Sequence, residues 1–303
     1  MKLFFDRLNT LTLIWTLVLI TAGCASLPFA GRIHSEVPYT VLADNIEKPE
    51  GIAIHSDGKI YLTSTADNGS LIRITPGNKY EVLVRGLISP DAMVFDRDAN
   101  LYISIELSTG SLLRLTPEGN VSIVSTDLSE PEGLAFDPEG TLTLAEDKEN
   151  GRILKWRSGR WIEFSAGLAR PENIAYDPAG NLYVTETSAD RITRINPRGD
   201  KTPFLEGRLR RPDGIAYCSA YDGLFSVEDQ MRSKLVFIDL AGNESVLATG
   251  LKFPQGLTCD STGNLYVVEK ERNRLLLFRG EDLGRQLPQV SSSSVITGKI
   301  TSP

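Results

Sequence analysis

The chain repeats itself with a period of about 41 residues. A proline opens each of six copies, and consecutive prolines lie 41, 41, 40, 41 and 42 residues apart. A steady period in this range is typical of propellers, solenoids and other repeat folds. The repeat therefore limits the possible folds more than any other feature of the sequence. The six prolines are Pro49, Pro90, Pro131, Pro171, Pro212 and Pro254.

Each copy has the pattern of four short β-strands. The copy that begins at Arg170 reads RPENIAYDPAGNLYVTETSADRITRINPRG, in which apolar runs are separated by turn residues. The alternation in ITRI has a period of two and indicates a strand. Gly and Asn in the turns supply the positive φ that tight hairpins need. Four antiparallel strands, repeated around a ring, form a β-propeller.

The sixth copy has no clear fourth strand after Phe278. The segment Tyr39–Ala43, YTVLA, precedes the first repeat proline as a fourth strand precedes each later one. We therefore expect Tyr39–Ala43 to be the outermost strand of the last blade, which closes the ring and removes open sheet edges. The predicted fold class is all-β: a six-bladed β-propeller with four antiparallel strands per blade, closed by the N-terminal strand.

Residues 1–23 are predicted to be a lipoprotein signal peptide. An apolar run too short to span a bilayer ends in ITAGCAS, which resembles a bacterial lipobox. Cys24 is the expected lipidation site, and an ordinary secretory signal with an incidental cysteine is the alternative. We expect a lipidated tether at residues 24–37, the propeller at 38–290 and a disordered tail at 291–303.

The predicted location is the cell envelope, because more than one acyl chain holds a protein stably on a membrane. Ala25 and Ser26 replace the aspartate that retains lipoproteins in the inner membrane of enteric bacteria. This favours the outer membrane, facing the periplasm. The net charge of −7, without a basic stripe, disfavours a nucleic-acid partner.

Two cysteines, Cys218 and Cys259, lie in the body of the chain. They follow their repeat prolines by six and five residues, respectively. Adjacent offsets on a strand point to opposite faces. We therefore expect two buried free thiols rather than a disulfide.

Acidic residues follow the repeat proline in five copies. The first strand of each propeller blade lines the central channel, so these side chains are expected to ring one mouth of it. The predicted inner ring is Glu50, Asp91, Glu132, Glu172, Asp213 and Gln255. The second strand returns to the same mouth, and the predicted outer layer is Glu106, Glu146, Glu186, Glu228 and Glu269, with Ser64 and Thr65 in the first blade.

Five clustered carboxylates require raised pKa values or a bound cation. Oxygen ligands favour Ca²⁺, with Mg²⁺ as the alternative, over zinc. The competing interpretation is a solvated channel, or carboxylates that cap backbone amides between blades. For the outer glutamates, a bracing role between blades is favoured. The two histidines, His34 and His55, lie elsewhere, which disfavours a serine or cysteine triad.

Three arginines, Arg208, Arg210 and Arg211, lie in the loop into the fifth blade. Guanidinium groups can bind a substrate carboxylate or phosphate bidentately. More often, such arginines are solvated or neutralise neighbouring acids. Together with Asp91 and Glu132, they are the candidate substrate-binding residues.

The blade sequences PEGIAI…GKIYLTS, PENIAYDPAGNLYVTE and PDGIAY resemble the SMP-30/gluconolactonase/LRE-like family of six-bladed propellers over about residues 39–278. The resemblance implies a divalent cation at the channel mouth. Its ligands would be Glu50, an asparagine of a middle blade, and Asp213, which is also the expected proton acceptor. At the asparagine position this chain has Glu172, with Asn173 beside it, which departs from the family pattern.

NHL repeats and streptogramin lyases share much of this blade pattern. The lyases use histidine at the mouth, where this chain has acids, so a lyase is disfavoured. The leading hypothesis is a lipid-anchored, metal-dependent hydrolase of lactones or related esters, with Asp213 as general base and Glu50, Glu172, Asn173 and Asp213 at the metal. The alternative is a non-catalytic NHL-like scaffold of the envelope. The expected partner is accordingly a small-molecule substrate or an envelope protein, and the expected state is a monomer.

Overall fold

The computed structural model describes residues 33–287. The predicted signal peptide, the predicted lipidation site Cys24 and the predicted tail at 291–303 lie outside the described residues. The described part begins with two strands, β1 (His34–Ser35) and β2 (Tyr39–Ala43). Six sheets of antiparallel strands then follow around a ring, which confirms the predicted six-bladed β-propeller.

The strands of each blade run from the channel outwards. The first three blades are β3 (Pro49–Ile54), β4 (Ile60–Ser64), β5 (Ser70–Thr75) and β6 (Lys79–Arg85); β7 (Pro90–Phe95), β8 (Leu101–Ile105), β9 (Gly110–Leu115) and β10 (Val121–Leu128); β11 (Pro131–Phe136), β12 (Leu142–Glu146), β13 (Glu149–Arg157) and β14 (Arg160–Ala169). The fourth and fifth are β15 (Pro171–Tyr176), β16 (Leu182–Glu186), β17 (Arg191–Ile195) and β18 (Lys201–Glu206); β19 (Pro212–Cys218), β20 (Gly223–Glu228), β21 (Ser233–Asp239) and β22 (Glu244–Leu251). The sixth contains β23 (Pro254–Cys259), β24 (Leu265–Glu269) and β25 (Arg274–Phe278).

The ring closes where the sequence predicts. Strand β2 pairs antiparallel with β25, with Tyr39 opposite Phe278, and is the outermost strand of the sixth blade. The closure joins the two ends of the propeller by backbone hydrogen bonds, so β25 is not left as an open edge.

The fifth blade has one strand more than expected. Strand β1 pairs with β22, with His34 opposite Thr249. Ile33 and Val37, on either side of β1, are buried in the adjoining apolar cluster. Residues 33–37 were expected in the tether, but they pack on the propeller because their apolar side chains find a buried site there.

The blades pack face to face through apolar side chains. All five residues of β16 are buried, whereas the outer strand β18 is mostly exposed. One cluster between the fourth and fifth blades includes Tyr183, Ile215 and Leu224. The ring is completed by two single-turn 3₁₀ segments, Thr187–Ala189 and Lys270–Arg272, and by the helix α1 (Gly280–Gln286). In the region from 33 to 287, none of the helical segments has the length and apolar character needed to cross a membrane.

Cys218 and Cys259 form a disulfide, so the expectation of free thiols is wrong. The two residues end the innermost strands β19 and β23 of neighbouring blades, and their Cα atoms lie 5.5 Å apart. The sequence predicts that Cys218 and Cys259 point to opposite faces of their strands, which argued against a disulfide. That conclusion is wrong because neighbouring blades stack face to face. A residue that points forward from one blade meets a residue that points backward from the next, so opposite faces are what a bridge between blades requires.

Candidate functional site

The inner ring lies where the sequence places it. Each of its six residues directly follows a repeat proline at the start of an innermost strand, and all six side chains are buried. Together they line a cavity of about 780 Å³ at one mouth of the channel. The structure thus brings together Glu50, Asp91, Glu132, Glu172, Asp213 and Gln255.

The residue that follows an inner-ring residue in the chain lies very close to the innermost strand of the next blade, which limits the size of its side chain. A Cβ atom on Gly214 would lie 2.2 Å from the backbone oxygen of Gln255, and one on Gly133 would lie 2.4 Å from that of Glu172. At these two positions, glycine therefore allows the close approach of the neighbouring blade. The fourth blade has Asn173 at this position, and its Nδ2 donates to Asp213 Oδ1 over 3.3 Å.

Asn173 therefore contacts the ring of the next blade through its side chain. A hydroxyl on the second strand fixes the same region, because Thr185 Oγ1 donates to the backbone oxygen of Asp213 over 2.7 Å. The fourth blade thus contacts Asp213 twice, once at its carboxylate and once at its backbone carbonyl.

An outer layer also surrounds the mouth, but it lies one residue later in the chain than predicted in four blades. In every blade, the backbone N–H of the outer-layer residue donates to the carbonyl of the residue before the repeat proline, over 2.8 to 3.1 Å. Only Glu106 of the predicted outer glutamates belongs to it. The layer is Thr65, Glu106, Asp147, Thr187, Asp229 and Lys270.

The other outer glutamates lie opposite the repeat prolines in the sheet register and point away from the cavity. Glu186 illustrates their role: it is fully buried and accepts hydrogen bonds from the Ala169 backbone N–H, from Arg191 and from Thr193. These bonds link the third blade to the fourth, which confirms the predicted brace. Four glutamates have this role: Glu146, Glu186, Glu228 and Glu269.

Sequence reasoning missed Asp147, Asp229 and Lys270. The available signal was local, since each of them directly follows one of the bracing glutamates. Register within the first two strands decides which of two adjacent residues faces the channel, and an irregularity just after the proline shifts the register by one residue.

Glu50 is engaged in an ion pair across the junction that closes the ring. Lys270 Nζ donates to Glu50 Oε1 over 2.5 Å, while the buried Oε2 atom has no hydrogen-bond partner among the described residues. Burial raises the pKa of Glu50, and the Lys270 ammonium partly offsets that rise. Glu50 therefore neutralises a lysine instead of joining Glu172 and Asp213, its expected partners.

A group of carboxylates that could hold a cation lies on the opposite side of the mouth. Oxygens of Glu132, Glu172 and Asp213 lie within 4.8 Å of one another. Burial, followed by the nearby charges, raises the pKa of Glu172 to about 7 and raises the pKa values of Glu132 and Asp213 well above their usual range. Three buried carboxylate groups this close are a donor set for a hard divalent cation, because Ca²⁺ and Mg²⁺ prefer oxygen ligands.

The predicted arginines divide between the cavity and the surface. Arg211 lines the cavity and binds Asp229 over 2.9 Å. Arg208 and Arg210 are exposed, and their recorded contacts are made by the backbone, to Lys234 and Glu228. The second guanidinium of the cavity comes from Arg170, which holds Asp147 through both of its carboxylate oxygens.

Below the inner ring, the residues that line the channel are largely apolar. A second cavity of about 340 Å³ reaches the opposite mouth between aromatic side chains, including Phe136, Tyr176 and Tyr217. Asp91 and Asp213 border both cavities. The inner ring is therefore the floor of a polar chamber, and the passage beneath it is lined largely by apolar residues.

Comparison with known proteins yields structural similarity only. No family model matches the chain, and no curated protein matches it in sequence. Among solved structures, a putative gluconolactonase is 13% identical with a TM-score of 0.69, covering 81% of this chain and 93% of that one. The calcium-binding protein regucalcin from Agrobacterium tumefaciens is 16% identical with a TM-score of 0.65, covering 80% and 93%. Virginiamycin B lyase from Staphylococcus aureus is 19% identical with a TM-score of 0.59, covering 83% and 87%. These similarities show that the chain shares the propeller fold of known enzymes and of a calcium-binding protein.

Proposed function

We propose that this protein is a propeller enzyme that binds Ca²⁺, or alternatively Mg²⁺, at its acidic mouth and hydrolyses lactones or related esters. The observation that carries the proposal is the convergence of Glu132, Glu172 and Asp213, whose oxygens lie within 4.8 Å of one another on the wall of an open cavity. Glu132 takes the place in the ligand set that the sequence suggested for Glu50, because Glu50 is bound to Lys270.

A bound cation would polarise the carbonyl of the substrate as a Lewis acid. The protein itself would supply a general base beside that carbonyl. Asp213 is buried, faces the cavity and is held by Asn173, so it can accept the proton of an attacking water molecule.

The rim of the cavity offers groups that orient the rest of a substrate. Arg170 and Arg211 line it with guanidinium groups that are already paired to Asp147 and Asp229. Paired guanidinium groups still have free N–H donors for ester or hydroxyl oxygens. The substrate that fits is therefore a small, oxygen-rich and uncharged ester or lactone, since the many acids would repel an anion.

The decisive test is Asp213→Asn, assayed for hydrolysis of a panel of lactones and aryl esters with added Ca²⁺. We expect kcat to fall by about 100-fold or more, as for the loss of a general base, while the circular dichroism spectrum stays unchanged. Glu139→Gln, an exposed charge deletion at the hairpin side, is the matched control and keeps full activity. Undiminished hydrolysis by Asp213→Asn would refute the proposal. An absence of turnover by the Ca²⁺-loaded wild type would favour the non-catalytic envelope propeller.

We also propose that the protein is anchored to the cell envelope through Cys24. The disulfide between Cys218 and Cys259 supports an exported location, because such bonds persist in oxidising compartments. Metabolic labelling with palmitate tests the anchor. Incorporation in the wild type and its loss in Cys24→Ser are expected, and equal labelling of both would contradict it.

A further inference from the structure

A second group of carboxylates adjoins the proposed cation site. Oxygens of Glu106, Glu132 and Asp147 lie within 4.8 Å of one another, as do those of the first group. Glu132 belongs to both groups. The second and third blades thus supply a set of oxygen donors beside the set from the third, fourth and fifth blades.

Glu132, the residue that the two groups share, points independently to a bound ligand. Glu132 is only 6% exposed and lines the cavity. Its carboxylate makes no hydrogen bond or ion pair with any residue between 33 and 287. Buried carboxylates in folded proteins are paired, hydrogen-bonded or bound to metals. Glu132 has no partner in the described part of the chain and lies between two sets of oxygen donors. This arrangement indicates that a cation can bind on each side of Glu132.

The local charge balance supports two ions rather than one. The five carboxylates of the two groups face one guanidinium, that of Arg170, which binds Asp147. Four formal negative charges remain, and two divalent cations balance them. Of the other basic groups that line the cavity, Lys270 and Arg211 are paired with carboxylates outside both groups, and Lys48 lies beside the first repeat proline at the closure of the ring.

We propose that the mouth holds two divalent cations bridged by Glu132, the second of them bound by Glu106 and Asp147. This inference rests on the proposed function, since it places the second ion beside the first. Arg170 would keep its bidentate contact with Asp147 and orient that carboxylate, whose remaining lone pairs would be available to the ion. A two-cation centre can stabilise both the attacking and the leaving oxygen of a substrate.

The test uses the full-length protein, freed of metal and titrated with Mn²⁺ as the probe. Calorimetry counts the bound ions, and electron paramagnetic resonance reports whether two Mn²⁺ ions are spin-coupled through a shared ligand. We expect two coupled ions in the wild type and in the control Glu139→Gln. Glu106→Gln and Glu172→Gln should each bind one uncoupled ion, and Glu132→Gln should show no coupled signal. Circular dichroism confirms that each variant is folded.

Other outcomes separate this inference from the proposed function. A single ion in the wild type, lost in Glu172→Gln and unaffected by Glu106→Gln, overturns the second site and leaves the first intact. Two ions without spin coupling overturn the bridge. No bound ion at all overturns both proposals.

Discussion

The metal-free protein should lose stability as the pH rises from about 5 to about 8. The group that sets this behaviour is Glu172, because burial raises its pKa from 4.5 to about 7. A carboxyl group whose pKa is higher in the folded state binds its proton more tightly there than in the unfolded chain. Its contribution is fully present below the unfolded pKa of 4.5 and is lost as the pH rises through about 7.

The magnitude follows from the two pKa values. With 4.5 for the unfolded chain and about 7 for the folded protein, Glu172 alone loses about 2.5 kcal/mol of stability over this pH range. For a domain of this size the melting temperature should fall by about 5–10 °C. Glu106, whose pKa is also raised to about 7 by burial and by Asp147, shifts stability in the same direction. The two groups are not independent, so their contributions are not summed.

The assay is differential scanning fluorimetry of metal-free protein across this pH range, with and without Ca²⁺. Saturating Ca²⁺ should remove most of the pH dependence, because the ion binds the ionised carboxylates and its stabilising effect grows with pH. Glu172→Gln is the matched variant: its amide does not titrate, so the slope should become shallower. A melting temperature of the metal-free wild type that is flat or rises with pH would refute the reasoning.

Three further predictions concern the scaffold around the mouth. Glu186→Gln should cost about 1–3 kcal/mol of unfolding free energy in urea, since it disrupts the hydrogen bonds that the buried carboxylate accepts from Arg191, Thr193 and the Ala169 N–H, whereas Glu206→Gln at the exposed edge should cost less than about 0.5 kcal/mol; equal costs would contradict the bracing role. Gly214→Ala should destabilise by about 1–3 kcal/mol, because its Cβ would collide with the neighbouring blade, and should weaken Ca²⁺ binding measured by calorimetry; wild-type affinity would contradict the close-packing argument. Reduction of Cys218 and Cys259, followed by alkylation, should lower stability by about 2–4 kcal/mol, and unchanged melting would show that the bridge does not contribute.

The sequence alone predicts the architecture because a repeat of six blades leaves few alternatives. The repeat prolines, the turn glycines and the alternating strands all agree on one blade, and the position of Tyr39–Ala43 identifies the closing strand. The inner ring is equally predictable, since one residue position in each copy faces the channel. Consistency between local patterns and the global fold makes this level of prediction possible.

Several features were mispredicted because they depend on relations that a sequence does not display. The outer layer depends on strand register, where a bulge of one residue exchanges Glu146 for Asp147 at the cavity. The disulfide depends on how neighbouring blades face each other, which offsets within one strand do not reveal. The pairing of Glu50 with Lys270 joins residues 220 positions apart, and only the closure of the ring brings them together.

The near-equivalence of the six blades could suggest a surface with equal binding positions all around, as in a scaffold. The charges at the mouth contradict that symmetry. Around the closure, acids are matched by bases or amides: Glu50 by Lys270, and Asp229 by Arg211 and Gln255. On the opposite side carboxylates accumulate, and Arg170, which holds Asp147, is the basic partner recorded there.

Burying unmatched carboxylates opposes folding, and the same backbone could have carried neutral residues at those positions, as it does at Thr65 and Thr187 in the outer layer. The six blades repeat one fold, but the buried carboxylates accumulate on one side of the cavity. The candidate binding site is therefore asymmetric. That asymmetry favours cation-dependent chemistry over a uniform docking surface.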